Sequence, residues 1–99
     1  MNESGVPKVE REDTKSGGVY RLSLDGATAE MTFSRASERL IIIDHTEVPE
    51  ALRGRRIGNI LLEYAIAEAR EKGAKIFPLC PFAAAQFRSH PEYRDVLST

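Results

Sequence analysis

The chain has 99 residues, 41% of them apolar, with 14 basic and 15 acidic side chains and a formal net charge of −1. This length holds one domain around one core, and the near-neutral balance excludes a general surface for nucleic acid or an anionic membrane. A single cysteine excludes an internal disulfide and a cysteine-rich zinc site, no apolar run reaches membrane-spanning length, and no signal-peptide core opens the chain, so a cytoplasmic protein in a reducing compartment is expected.

Residues 1–18 are polar and charge-mixed and close on Gly17-Gly18. They are expected to form a mostly flexible tail, in which Lys8–Arg11 offers a short edge strand. The folded domain is expected over 19–99. Val19 to Leu24 alternates with period two, and Asp25-Gly26 is a two-residue hairpin signal. Ala27 to Ser34 alternates again, with Ala29, Met31 and Phe33 on one side and Thr28, Glu30 and Thr32 on the other. Arg35–Glu38 suggests a second turn. Leu40–Ile43 is apolar on both faces, which predicts a central, buried strand. These strands form an antiparallel meander.

Pro49 ends the last of them, because it cannot donate to a ladder. Ile57, Ile60, Leu61, Tyr64, Ala65 and Ala69 recur at helical spacing, and Gly73 suits the position after a helix ending at Lys72. Ala74–Leu79 is a short strand. Strand, helix and strand in this order predict a βαβ unit whose two strands are parallel neighbours. Pro81 suits the first position of a second helix carrying Phe82, Ala85 and Phe87, and Pro91 stops it. The fold class is α+β: a mixed sheet of four or five strands, a meander plus one parallel crossover, with two helices.

The start of the first helix is the most informative stretch. Helix starts favour Ser, Thr, Asp or Asn as N-cap and acids in the first turn. This one reads Arg53-Gly54-Arg55-Arg56-Ile57-Gly58. Cations are unfavourable at the positive end of a helix unless an anion sits among them, and free amides there hold phosphate. A solvated basic loop is the alternative. The strand before and the helix after supply the context that a phosphate loop needs. Asn59, in the first turn, either reaches that phosphate or caps the helix.

Strand, Val48-Pro49, this loop and an amphipathic helix together resemble the acetyl-CoA motif of the GNAT superfamily of N-acetyltransferases, whose loop reads Gln/Arg-x-x-Gly-x-Gly/Ala. Arg53 and Gly58 match its first and last positions, whereas Arg56 stands where its middle glycine belongs. His45-Thr46-x-Val48-Pro49, Arg53-Gly54, Pro78-x-Cys80 and His90-Pro91-x-Tyr93 resemble the minimal GNAT-like proteins of about a hundred residues, over residues 19–97. The resemblance implies acetyl-CoA as cofactor and acetyl transfer to an amine, of a small molecule or a protein. It also implies loop amides on the pyrophosphate and a strand that splays from its neighbour beside the pantetheine. The implied cofactor-binding residues are Glu47, Val48, Arg53, Gly54, Arg55, Arg56, Ile57, Gly58 and Asn59. The minimal form lacks the C-terminal strands that usually shape the acceptor pocket, so the catalytic residues must be sought in this chain itself.

Acetyl transfer needs a neutral amine, a polarised carbonyl and a protonated leaving thiolate. Cys80 closes a strand just before a helix start, where a thiolate is favoured. It is a nucleophile, an acid or base beside the thioester, or a small buried hydrophobe. His45 is expected on the strand face of Ile41 and Ile43, as a base or as a packed edge histidine. Glu47 shares that face by parity unless a bulge intervenes, as a base through water or as a solvated acid. His90 and Tyr93 more simply anchor the C-terminal turn, and Tyr64 and Phe87 belong to the core. Two rival functions stay open: a CoA-binding module with little turnover, and an interaction domain that keeps the fold. Monomer and homodimer are both compatible, and a partner subunit could complete the acceptor site.

Overall fold

The computed structural model describes residues 8–98. One five-stranded sheet runs in the order β1 (Val9–Asp13), β2 (Gly17–Leu24), β3 (Ala27–Ser37), β4 (Leu40–Glu47) and β5 (Lys75–Pro78). The first four strands pair antiparallel, and β5 lies parallel to β4 after the crossover helix α1 (Ile57–Lys72). Helix α2 (Pro81–Ser89) and a 3-10 turn over Pro91–Val96 follow. The α+β mixed sheet with two helices is therefore present. The edge strand suggested at Lys8–Arg11 forms as β1, Val9–Asp13, and β2 begins at Gly17, so the expected domain start at residue 19 falls inside β2. The rest of the expected tail, residues 1–7, lies outside the described residues.

Local chemistry explains most boundaries. Asp25 and Gly26 have φ of 53° and 79°, the positive pair that a tight hairpin turn requires. The next turn comes later than expected: β3 runs on to Ser37, whose hydroxyl accepts the Arg39 N–H at 3.1 Å and so closes the turn at Glu38-Arg39. Gly73 takes a left-handed conformation, and its N–H reaches the Ala69 and Arg70 carbonyls.

One sheet face carries the core. Tyr20, Leu22, Met31, Phe33, Ile43 and Ile76 are buried against Leu61, Leu62, Ala65 and Ile66 of α1 and Ala83 and Phe87 of α2. Each large side chain removed from water contributes about 1.5–3 kcal/mol. The other face presents Arg21, Glu30, Thr32, Ile42 and Phe77, none of them buried. The expectation that β4 is buried on both faces is thus corrected: among its isoleucines only Ile43 is fully buried, because both helices lie on one side of the sheet.

The C-terminal turn is tied to α1 by polar contacts. Arg70 donates from Nε and Nη2 to the two Asp95 carboxylate oxygens at 2.8 and 2.9 Å, and from Nη2 to the Glu92 carbonyl at 2.9 Å. The His90 ring stacks on Tyr93, and Tyr93 donates to Glu63 at 3.2 Å. Burial and the Glu63 carboxylate push the Tyr93 phenol up. His90 and Tyr93 thus hold this turn, while Phe87 is buried and Tyr64 packs against the core.

Candidate functional site

Two irregularities make the site. The first lies in β4. Phe33 pairs with Ile43 but Thr32 pairs with His45, so Asp44 is an extra residue, a bulge. The extra residue reverses the alternation. Ile41 and Ile43 face the core, but His45 and Glu47 emerge on the open face, beside Thr32 and Glu30. The expectation that His45 shares a face with Ile41 and Ile43 is therefore corrected. Thr46 takes the core side instead, and its hydroxyl lies 3.4 Å from Cys80 Sγ. Nothing in the motif reading singled out Thr46 as a contact of the cysteine.

The second irregularity is a splay. β4 and β5 pair from Leu40↔Lys75 to Ile43↔Pro78, and the Cys80 N–H bonds the Ile43 carbonyl at 3.0 Å. Beyond that point β4 continues through Glu47 beside β3 alone. Cys80 sits where the two strands part. It is buried, and its sulfur accepts the Ala83 N–H at 3.4 Å as the cap of α2.

The arginine loop follows the splay. A 3-10 turn over Glu50–Leu52 carries the chain from Pro49 to Arg53. Gly54 has φ 79°, and Arg56, the N-cap of α1, has φ 59° and ψ 28°. Arg56 thus adopts the left-handed conformation that glycine prefers. No side chain caps α1 and no acid lies in its first turn. The first intrahelical bond is the Ile60 N–H to the Arg56 carbonyl, so the amides of Ile57, Gly58 and Asn59 precede any helical acceptor. They border a cleft of about 360 Å³ lined by Val48, Leu52, Arg53, Gly54, Arg56, Ile57, Gly58, Asn59 and Phe82.

The structure brings Val48, Arg53, Gly54, Arg56, Ile57, Gly58 and Asn59 together at this cleft. Arg55 and Glu47 are absent from its lining. Arg55 turns to the β2–β3 hairpin and pairs with Asp25 at 2.8 Å. Arg53 is tethered from Nε to the Val48 carbonyl at 3.4 Å. Asn59 does not cap α1 but donates to Gln86 of α2 at 2.7 Å. Leu52 and Phe82 are cleft residues that the sequence did not mark. Phe82 packs on Gly58, where an added Cβ would lie 2.9 Å from the ring. Its only signal was an apolar position one residue into a proline-started helix. Among the described residues no cluster of His, Cys, Asp and Glu suits a metal ion, and no helix is long and apolar enough to cross a membrane.

With this geometry in place, the family model for GCN5-related N-acetyl-transferase matches residues 19–96. The chain belongs to the GCN5-related N-acetyltransferase family. The NMR solution structure of a GCN5-like candidate N-acetyltransferase from Staphylococcus aureus shares the family's fold with this chain. It gives a TM-score of 0.71 at 31% identity, over 90% of this chain and 87% of that one. A crystal structure of a GNAT family acetyltransferase from Elizabethkingia anophelis with acetyl-CoA bound gives a TM-score of 0.60 at 20% identity, over 79% of this chain and 53% of that one. At that identity the likeness is one of fold alone. No curated protein matches the chain significantly.

Proposed function

We propose that this GCN5-related family member transfers an acetyl group from acetyl-CoA to an amine. The observation that carries this is the uncapped start of α1, where Arg53, Arg56 and the first-turn residues Ile57, Gly58 and Asn59 line one cleft with no acid in the first helical turn. Such an end stabilises an anion through the helix dipole and charge-assisted hydrogen bonds. Bound acetyl-CoA would supply the activated acyl group. Its pyrophosphate suits the amides of Ile57, Gly58 and Asn59, while Val48, Leu52 and Phe82 offer an apolar wall to its arm. The acetyl-CoA bound in the Elizabethkingia relative is in keeping with this donor.

The bulge divides the remaining roles between two sides of β4. His45 and Glu47, exposed on the open face, receive the proton of an incoming amine. Cys80 and Thr46, on the core side at the splay, protonate the leaving sulfur. In the balanced step the amine nitrogen forms a bond to the carbonyl carbon, the carbon–sulfur bond breaks as the leaving sulfur takes the Cys80 proton, the amine proton passes to solvent through His45 or Glu47, and solvent returns a proton to Cys80.

The test is isothermal titration of the protein with acetyl-CoA and with CoA, in the wild type and in Arg53→Glu. Saturable micromolar binding is expected, weakened about tenfold or more in the variant, the effect of losing one charge-assisted phosphate contact. Absence of binding to both ligands refutes the proposal. Equal affinity in a folded Arg53→Glu variant refutes the arginine loop as the phosphate site. Tight binding without acetylation of any amine in a broad acceptor screen would mark a binding module instead.

A further inference from the structure

The outer edge of β5 is closed to another strand. Pro78 has no N–H to offer, Leu97 forms a parallel bridge with Ile76, and the Ser98 N–H takes the Ile76 carbonyl at 2.8 Å. Beside this blocked edge, between α2 and the C-terminal turn, lies a groove of about 490 Å³ lined by Pro78, Ala84, Phe87, Arg88, Arg94 and Leu97. It shares no residue with the cleft at the arginine loop. Its floor is apolar, and its charged lining consists of two arginines. Both are exposed, and neither makes an ion pair or a side-chain hydrogen bond among the described residues. The neighbouring cations are engaged: Arg70 by the Asp95 carboxylate and Lys75 by the Asp95 carbonyl.

We infer that this groove is a second ligand site, for an amphiphilic carboxylate. The apolar body lies on Pro78, Ala84, Phe87 and Leu97, and Arg88 and Arg94 hold the carboxylate. Guanidinium groups match a carboxylate in charge and in planar geometry. The volume falls in the range of small-molecule sites, about 300–1,000 Å³, and an apolar lining with a few polar groups is their usual character. Strand addition is disfavoured because Pro78 and the Leu97–Ser98 segment already occupy the edge, so side chains and not backbone must carry recognition. A neutral amphiphile gains only the apolar contact, and a cationic one meets two like charges.

The experiment is amide chemical-shift titration of the whole chain with octanoate, octan-1-ol and octylamine, each below its micelle concentration. It is repeated on the double variant Arg88→Ser, Arg94→Ser. Octanoate is expected to shift Ala84, Arg88, Arg94 and Leu97 saturably, to bind more tightly than octanol, and to leave these amides unmoved when replaced by octylamine. Affinity for octanoate should fall about tenfold in the double variant, as charge-assisted contacts predict. Octanol binding as well as octanoate, unchanged affinity in the double variant, or octanoate shifts confined to residues 53–58 would each overturn the inference. The alcohol comparison uses the wild type alone, so the inference remains testable should the double variant fail to fold.

Discussion

Replacing Arg56 with glycine should stabilise this protein while weakening its hold on phosphate. Arg56 sits at φ 59° and ψ 28°. For an L-residue that conformation costs roughly 1–2 kcal/mol, a cost glycine does not bear. Against this, glycine loosens the unfolded chain by roughly 0.4–1 kcal/mol. The arginine side chain gives up little: Nη2 is 3.9 Å from Glu63, and the side chain is 68% exposed. An exposed pair contributes about 0–1 kcal/mol, and this distance belongs at the low end. The balance is a gain of roughly 0.5–1 kcal/mol, or about 2–8 °C in Tm for a domain of this size. Arg55→Gly is the control. Arg55 is not among the positive-φ residues, and the change removes its pair with Asp25, so its Tm should fall. Thermal unfolding followed by circular dichroism measures both. A Tm for Arg56→Gly at or below wild type, or an equal rise in both variants, would refute the conformational argument. Titration of the same variant with CoA should show weaker binding, since a cation leaves the cleft.

Two other substitutions probe the chemistry and the core. Cys80→Ala should leave CoA affinity nearly unchanged and lower turnover about a hundredfold or more, the lower range of general acid contributions. Unaltered turnover would reduce Cys80 to the cap of α2. The Tyr20 hydroxyl, in a side chain only 2% exposed, donates to Glu68 at 2.9 Å. Burial first, and then the Glu68 charge, push its phenol well above the ordinary value of about 10. The unfolded tyrosine then releases its proton before the folded one. The resulting stability is whole below about pH 10 and is lost as pH rises towards the folded value. Tyr20→Phe should therefore flatten the alkaline fall in Tm above about pH 10. Parallel wild-type and variant curves there would contradict it.

Features fixed within a few residues were legible in the sequence. The Asp25-Gly26 turn, the end of α1 at Gly73 and the start of α2 at Pro81 follow from backbone constraints that those residues carry with them. The resemblance to the acetyltransferases was equally legible, because the arginine loop is contiguous. The sites of its side chains were not. Arg55 lies 30 residues from Asp25, and only the folded sheet brings the hairpin to it. Arg56 stands at the loop's usual glycine position, but only the structure shows that it takes the left-handed angle, φ 59°, at the turn between Gly54 and α1. The bulge at Asp44 was the decisive omission. Alternation counts residues in pairs, and one extra residue changes which face every later side chain reaches. The sequence by itself determined the order of elements and the presence of a basic loop before a helix. Only the tertiary structure decided that Thr46 meets Cys80 while His45 and Glu47 face outward, because strand register depends on pairing with β3 and not on β4 alone.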